Sequence, residues 1–228
     1  MPALTDLHSD NAPMKTADWY FDFISPYAYL QAARLDDLSR QANIRPRPVL
    51  FAGLLNHHGQ LGPAEIAPKR KFVFRQALWL AHRQGLPMKL PPAHPFKPLP
   101  PLRLAIAAGC EVASIKTIFD FIWRDGNDID NPEDWKRLTD ALEIENVEER
   151  LAEASVKQAL RDNTDEAIAK GVFGVPTLVV DRELFWGQDA ADQFLDYLRD
   201  ESRMKRDVFE PVEGLAEGAA QRKPPSGR

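Results

Sequence analysis

The sequence predicts an α/β protein in which one sheet domain is built from the two ends of the chain and interrupted by a large helical insertion. Three observations carry this. A β-α-β pattern lies near the start, a β-β-α pattern lies near the end, and the residues between them are nearly all helical in texture. Elements of one sheet need not be contiguous in sequence, so the two ends, which resemble each other more than either resembles the middle, are assigned to one domain. The expected boundaries are 17–60 with 165–203 for the discontinuous sheet domain and 61–164 for the helical domain. Residues 1–16 and 204–228, polar or rich in Gly, Ala, Pro and charge, are expected to be mobile ends.

In chain order, DWYFDFI and IRPRPVLF read as strands. Between them PYAYLQAARLDDLSRQAN reads as a helix, with Tyr27, Leu30, Leu35 and Leu38 on its apolar face. From Gly53 to about Ala169, helical stretches alternate with proline-rich loops such as LPPAHPFKPLPP. The helices are PAEIAPKRKFVFRQALWLAHRQG, SIKTIFDFIWRDG, PEDWKRLTDAL and VEERLAEASVKQALRDNTDEAIAKG, with Pro132 and Glu133 suited to a first turn and Gly171 to a helix end. VPTLVVD and RELFWG then form two short strand patterns joined by a turn at Asp181-Arg182. QDAADQFLDYLRDE closes the pattern as an amphipathic helix with Phe194, Leu195 and Leu198 on one side.

Composition removes several function classes. The 228 residues are 44% hydrophobic and 28% charged, with a net charge of -5, and no Lys/Arg run exceeds Lys69-Arg70-Lys71. Such a chain has no general attraction to nucleic acid or anionic lipid. No apolar stretch approaches the ~20 residues that span a bilayer, and the N-terminal residues lack an apolar block. The single cysteine, Cys110, leaves no internal disulfide and no CxxC pair, which fits a reducing compartment. A soluble, cytoplasmic protein is the expectation.

Three short stretches could carry chemistry, and each has a structural explanation beside a functional one. Ser25-Pro26 stands where the first strand meets the first helix. Serine caps a helix by accepting a first-turn amide, and proline suits the next position. The same geometry presents free N–H groups and a positive dipole end to an anion such as a thiolate. No G-x-S-x-G elbow surrounds Ser25 and no base stands near it in sequence, which argues against a Ser-His-Asp hydrolase. Val175-Pro176 precedes a strand, where a residue unable to donate to the ladder belongs; a cis bond there would leave the Val175 backbone free to pair with an extended peptide. Gln188 and Asp189 follow Gly187 at a helix start, as caps or as the holders of a ligand carboxylate and amine.

Other candidates fare worse. His57-His58 lack the spacing of a metal pair. DGNDIDNPED resembles a calcium loop but has Ile129 at a ligand position and no glycine after it, so it reads as an interhelical loop. Cys110, among small apolar residues, reads as a packed thiol. No dinucleotide-binding or P-loop glycine pattern occurs.

Taken in order, FDFISPYAYL, GVFGVPTLVV and FWGQD resemble the 2-hydroxychromene-2-carboxylate isomerase family, relatives of kappa-class glutathione transferases and of DsbA-like oxidoreductases. The resemblance covers about residues 17–200 and extends through PVLFAGLLNHHGQLGPAEIAPKR. It implies a thioredoxin-like fold with an all-helical domain inserted between its β-α-β and β-β-α halves. It implies glutathione as cofactor, an aromatic acid as substrate and a homodimer. Ser25 would take the place of the oxidoreductases' cysteine and donate its hydroxyl to the glutathione sulfur. Val175, before cis-Pro176, would pair with the cysteinyl part, and Trp186, Gly187, Gln188 and Asp189 would hold the γ-glutamyl end. Pro26 and Asn56 would border the substrate. Family members commonly place a lysine near Asn56 and an arginine at the position of Ala190. Conjugation of an electrophile by a kappa-like transferase, or non-catalytic binding of a peptide or protein partner, are the alternatives; Ser25 and Tyr27-Ala28 leave no cysteine for a dithiol oxidoreductase.

Overall fold

The computed structural model describes residues 13–205 and 209–215. Most of the two ends expected to be mobile, 1–12, 206–208 and 216–228, lies outside the described residues. Strands β1 (Thr16–Phe21), β2 (Asn43–Pro48), β3 (Thr177–Val180) and β4 (Glu183–Trp186) form one sheet in the order β2-β1-β3-β4. β2 runs parallel to β1, while β3 is antiparallel to β1 and β4 to β3. A parallel neighbour requires a crossover, and helices α1 (Pro26–Ala32) and α2 (Leu35–Ser39) supply it. Asp181 and Arg182 both adopt positive φ in the two-residue turn between β3 and β4, the geometry that matches the twist of a hairpin.

β1 is buried on both faces, and the period-2 alternation of a strand sends its side chains to two different cores. Ala17, Trp19 and Phe21 join the larger core with α1 and α2, whereas Tyr20 joins a smaller one with Val49, Leu54, Ala167 and Val179. The aromatic run that made residues 18–24 look like a strand packs as rings: Trp19 stacks on Phe21 at 4.3 Å, and Phe23 meets Phe119 at 4.6 Å. Such contacts add about 0.5–1.5 kcal/mol each beyond their buried area. β2 carries Pro46 and Pro48 and is an edge strand, where a residue without an N–H leaves no ladder bond unmade.

Several expected elements are broken or shortened for local reasons. The first strand ends at Phe21, not Ile24, because the Asp22 carboxylate draws the next amides into a turn. The second ends at Pro48, and Phe51 opens helix α3 (Phe51–His57). The helix expected over 26–43 is divided at Ala33–Arg34, and that over 147–171 is divided at Glu153, whose ψ of 138° is extended, into α8 (Val147–Ala152) and α9 (Ala154–Ala169). Helix α5 (Leu99–Ala107) begins inside the proline-rich stretch; Pro100 and Pro101 occupy its first turn, where a missing N–H costs nothing. Helices α4 (Ala67–Arg83) and α7 (Pro132–Ala141) fall within the expected stretches, the latter capped by Asn131, whose side chain accepts from Glu133 and Asp134 N–H; α6 (Val112–Phe119) starts two residues before the expected SIKT and widens into a π turn over Asp120–Arg124. Gly171 ends α9 at φ 79°, with Val172 N donating to Ala167 O at 2.9 Å. α10 (Ala191–Arg199) packs Phe194 and Tyr197 beneath β4 against Phe185.

On the even face of β1 a charge cluster ties both chain ends together. The buried Asp18 carboxylate accepts two bonds from Arg45 at 2.8 and 2.9 Å, one from Arg47 at 3.3 Å and one from Lys170 at 2.8 Å. Burial alone would raise its pKa, but Lys170 and Arg45 hold it below the ordinary carboxylate range. Its folded pKa is thus depressed, so its stabilisation is present above the unfolded value of about 3.9 and is lost as pH falls through the folded one. Asp18→Asn is expected to cost about 3 kcal/mol in urea unfolding at pH 7, because Arg45 loses its counter-ion and Arg47 and Lys170 are left with Glu166 alone. A loss under about 0.5 kcal/mol would mean that the cluster is solvated like a surface pair.

Candidate active site

The turn from β1 into α1 is built by hydrogen bonds that start from Asp22. Its carboxylate accepts Ile24 N at 3.1 Å and Phe51 N at 2.9 Å, and its carbonyl accepts Ser25 N at 3.1 Å. The strand end, the start of α1 and the start of α3 are therefore tied to one fully buried residue, the first two through its main chain and the last through its carboxylate. Burial pushes the Asp22 carboxyl up to about 7 against the pull of those amides. Ser25 is extended, at φ -91° and ψ 116°, and its Oγ accepts Ala28 N at 3.2 Å. It is a helix N-cap, with Pro26 as the first residue of α1, as its sequence context predicts. The Ser25 hydroxyl donates toward Val175 O at 3.4 Å, a long contact made across 150 residues of sequence.

Ser25, Pro26 and Val175 line a cleft of about 900 Å³ between the sheet and the inserted helices. α4 contributes Lys69, Arg70 and Phe74, the loop before α5 contributes His94 to Pro98, and Trp186 stands exposed at the rim. The Trp186 indole lies against Gly174, where a Cβ would come within 2.5 Å of Nε1, and meets Phe173 edge-on at 4.9 Å. The Val175–Pro176 bond is cis. The Val175 N–H makes no backbone bond among the described residues, and its C=O has only the long contact from Ser25.

The remaining expected site residues fall around this cleft. Pro176 is buried behind it; its carbonyl accepts Gly187 N at 2.8 Å, and Gly187 O accepts the amide of the buried Gln31 at 3.0 Å. Gly187 has φ 95°, and a Cβ there would meet Asp189 Oδ1 at 2.5 Å, so glycine is required. Gln188 and Asp189 open a short 3-10 turn before α10, and Asp189 is near enough to Tyr27 to add to the rise that burial causes in its pKa. Gly187, Gln188 and Asp189 are not among the lining residues. Asn56 is exposed near the end of α3 and does not line the cleft either.

Two site residues escape a sequence reading. Asp22 looks like one polar position in an aromatic strand, and only the fold buries it. His94 stands in a proline-rich loop with no spacing signal. Its Nε2 lies 2.8 Å from Ile24 O and donates to it, since a carbonyl only accepts, so the other ring nitrogen, Nδ1, is the unprotonated one. Nδ1 is buried without a partner, and burial holds the imidazole below its ordinary pKa, hence neutral at pH 7. The other titratable candidates look away from the chemistry. Burial pushes the Cys110 thiol up to about 11, leaving little thiolate at neutral pH. His57 and His58 stack edge-on at 4.9 Å, with His58 Nε2 3.2 Å from Val172 O.

A four-stranded mixed sheet with its strand-turn-helix junction facing a cis-proline loop frames the comparison with known proteins. The family model of the DSBA-like thioredoxin domain matches residues 16–199. The chain belongs to the DSBA-like thioredoxin family. Among the proteins it is similar to, a 2-hydroxychromene-2-carboxylate isomerase of Sphingobium xenophagum is 30% identical over 197 residues, covering 82% of this chain and 99% of that protein. A kappa 2 glutathione S-transferase of Caenorhabditis elegans is 26% identical over 209 residues, covering 81% and 92%. A solved 2-hydroxychromene-2-carboxylate isomerase superposes with a TM-score of 0.69 at 23% identity over 88% of this chain and all of that one, which shows the shared thioredoxin-like fold. Within this DSBA-like domain Ser25 stands at the junction, and Cys110 is the only cysteine of the chain, so the domain holds no dithiol there. No helix among the described residues is long and apolar enough to cross a membrane.

Proposed function

We propose that the protein is a glutathione-dependent isomerase of 2-hydroxychromene-2-carboxylate or a related conjugated aromatic acid. The observation that carries this reading is the meeting of the Ser25 hydroxyl and the Val175 backbone, 3.4 Å apart, on one wall of a large apolar cleft. The isomerase and kappa-transferase relatives support it, since their similarity to this chain extends over 82% and 81% of it.

The residues present fit a tripeptide thiol. Val175 offers an unpaired backbone N–H at a sheet end, as an extended peptide needs. Trp186 gives an apolar rim, and the N–H groups of Gln188 and Asp189 open a helical turn whose neighbouring carboxylate suits an amine. When bound, glutathione supplies a thiol able to add reversibly to a conjugated acid and to leave again after ring opening and bond rotation. Covalent addition and elimination divide one difficult step into two easier ones. Ser25 is prepared for its part: the bond from Ala28 N fixes Oγ in place, and the weak contact with Val175 O leaves the hydroxyl hydrogen free to turn toward a sulfur. α1 has only seven residues, so the hydroxyl, more than the helix dipole, is the group asked to stabilise a thiolate. The apolar walls exclude water and strengthen that hydrogen bond.

The inserted residues 61–164 act in this reading as the domain that covers the site held by 17–60 and 165–203, in a cytoplasmic homodimer. Calorimetric titration with reduced glutathione tests it: saturable one-site binding, weakened in Ser25→Ala, is the expected result. An absence of binding at about 10 mM thiol, roughly the weakest affinity worth about 3 kcal/mol, would sink it in favour of a peptide-binding module. Kappa-like conjugation differs in one readout, because glutathione would then be consumed in proportion to product.

A further inference from the structure

The charged groups that line the cleft, three carboxyls and three cations, are not paired with one another. Each lining carboxylate is engaged at home: Asp22 holds the amides of Ile24 and Phe51, Glu65 accepts Gly62 N at 2.6 Å, and Asp130 accepts Lys97 N at 3.3 Å. The lining cations Lys69, Arg70 and Lys97 have no carboxylate partner among the described residues. The rest of the wall is largely apolar and aromatic, with Phe51, Phe74, Phe96, Phe173 and Trp186. An apolar hollow lined by cations without ion-pair partners fits a ligand with an apolar body and an anionic end.

One of the three cations is placed by contacts. The Arg70 guanidinium lies 6.0 Å from the centre of the Phe74 ring, and Phe74 meets His94 edge-on at 4.9 Å. His94 in turn donates to the carbonyl of Ile24, the residue before Ser25. Arg70 is near enough to His94 that its charge, after burial, contributes to keeping that imidazole neutral. Asn56, where a family member commonly carries lysine, brings no charge and does not reach the cleft. We propose that Arg70 is the specificity residue of this cleft, binding the carboxylate of an aromatic acid whose ring lies along Phe74 toward Ser25. A planar guanidinium held over an aromatic ring can make a two-point bond to a carboxylate, which a lysine ammonium does not reproduce. The assignment deepens the isomerase reading by naming what holds its acid substrate, and its test does not depend on turnover.

The test measures binding of 2-naphthoate and of its uncharged methyl ester by tryptophan fluorescence, in the wild type and in Arg70→Gln, Arg70→Lys and Arg75→Gln, the last an exposed cation of α4 outside the cleft lining. The wild type is expected to prefer the acid over the ester by about tenfold, as charge-assisted bidentate pairing implies. Arg70→Gln should erase that preference and leave the ester unaffected, Arg70→Lys should recover part of it, and Arg75→Gln should keep it. Equal binding of acid and ester by the wild type, no binding of either, or an equal loss in Arg75→Gln would each overturn the assignment. Glutathione calorimetry on the wild type separates the two failures: a chain that binds no thiol but discriminates acid from ester through Arg70 refutes the isomerase reading and upholds this one.

Discussion

Ser25→Ala is expected to lower glutathione-dependent turnover by an order of magnitude or more, on the order of 1.4 kcal/mol of barrier per tenfold, while the chain stays folded. The substitution removes the one hydroxyl that faces both Val175 and the cleft. It also removes the cap bond to Ala28 N, which costs about 0.5–2 kcal/mol of stability. The two effects separate by experiment. Urea unfolding reads the cap, and kcat at saturating thiol reads the chemistry. Ser25→Asn makes the distinction sharper, since asparagine caps well but has no hydroxyl to offer. Wild-type turnover in the alanine variant would remove Ser25 from the mechanism; stability recovered in Ser25→Asn without activity would place its role in the chemistry.

Stability is expected to fall as pH rises from about 4 to about 7, through the contribution of Asp22. Its carboxyl is raised from 3.8 to about 7 by burial, so between those values the folded chain holds a proton that the unfolded chain has released. The sign follows: stability decreases with pH wherever the folded state binds more protons, by about 1.4 kcal/mol per unit and thus about 4 kcal/mol over the window. Asp120, also raised by burial, adds in the same direction, while His94, held neutral by burial, opposes it below its ordinary value of about 6.5. The Asp22 share is therefore read as a difference. Asp22→Asn should start lower at pH 4.5, because one of the amides of Ile24 and Phe51 loses its acceptor at about 1–3 kcal/mol, and should lack the slope. Parallel profiles for the two proteins between pH 4.5 and 8 would show that Asp22 ionises normally.

The fold class, the division of the chain into β-rich ends and a helical middle, and the junction at Ser25 were legible because each is a local pattern. The β-branched run in VPTLVV, the turn pair Asp181-Arg182 and the helix end at Gly171 all depend on residues within one or two turns of themselves. The failures were local as well, where a side chain from elsewhere changed the outcome. Residues 22–24 continue a strand pattern, yet Asp22 turns the chain by binding Ile24 N and Phe51 N together. Leu99 to Ala107 was hidden by the prolines that in fact begin its helix. Asn56 lies in a matching motif but is exposed and not among the residues that line the cleft, a matter of how α3 sits and not of what the residue is.

By itself the sequence determined that this is a one-cysteine α/β chain whose strand-helix junction carries serine, so that any sulfur chemistry there must use a thiol from outside. Only the tertiary structure decided which charges are spent and which are free. Asp18 is consumed by Arg45, Arg47 and Lys170, and Asp22 is buried at a pKa near 7, while Lys69, Arg70 and Lys97 face the cleft without a counter-ion among the described residues. Charge and burial depend on what stands a few ångströms away in space, and the groups concerned here are up to 152 residues apart along the chain.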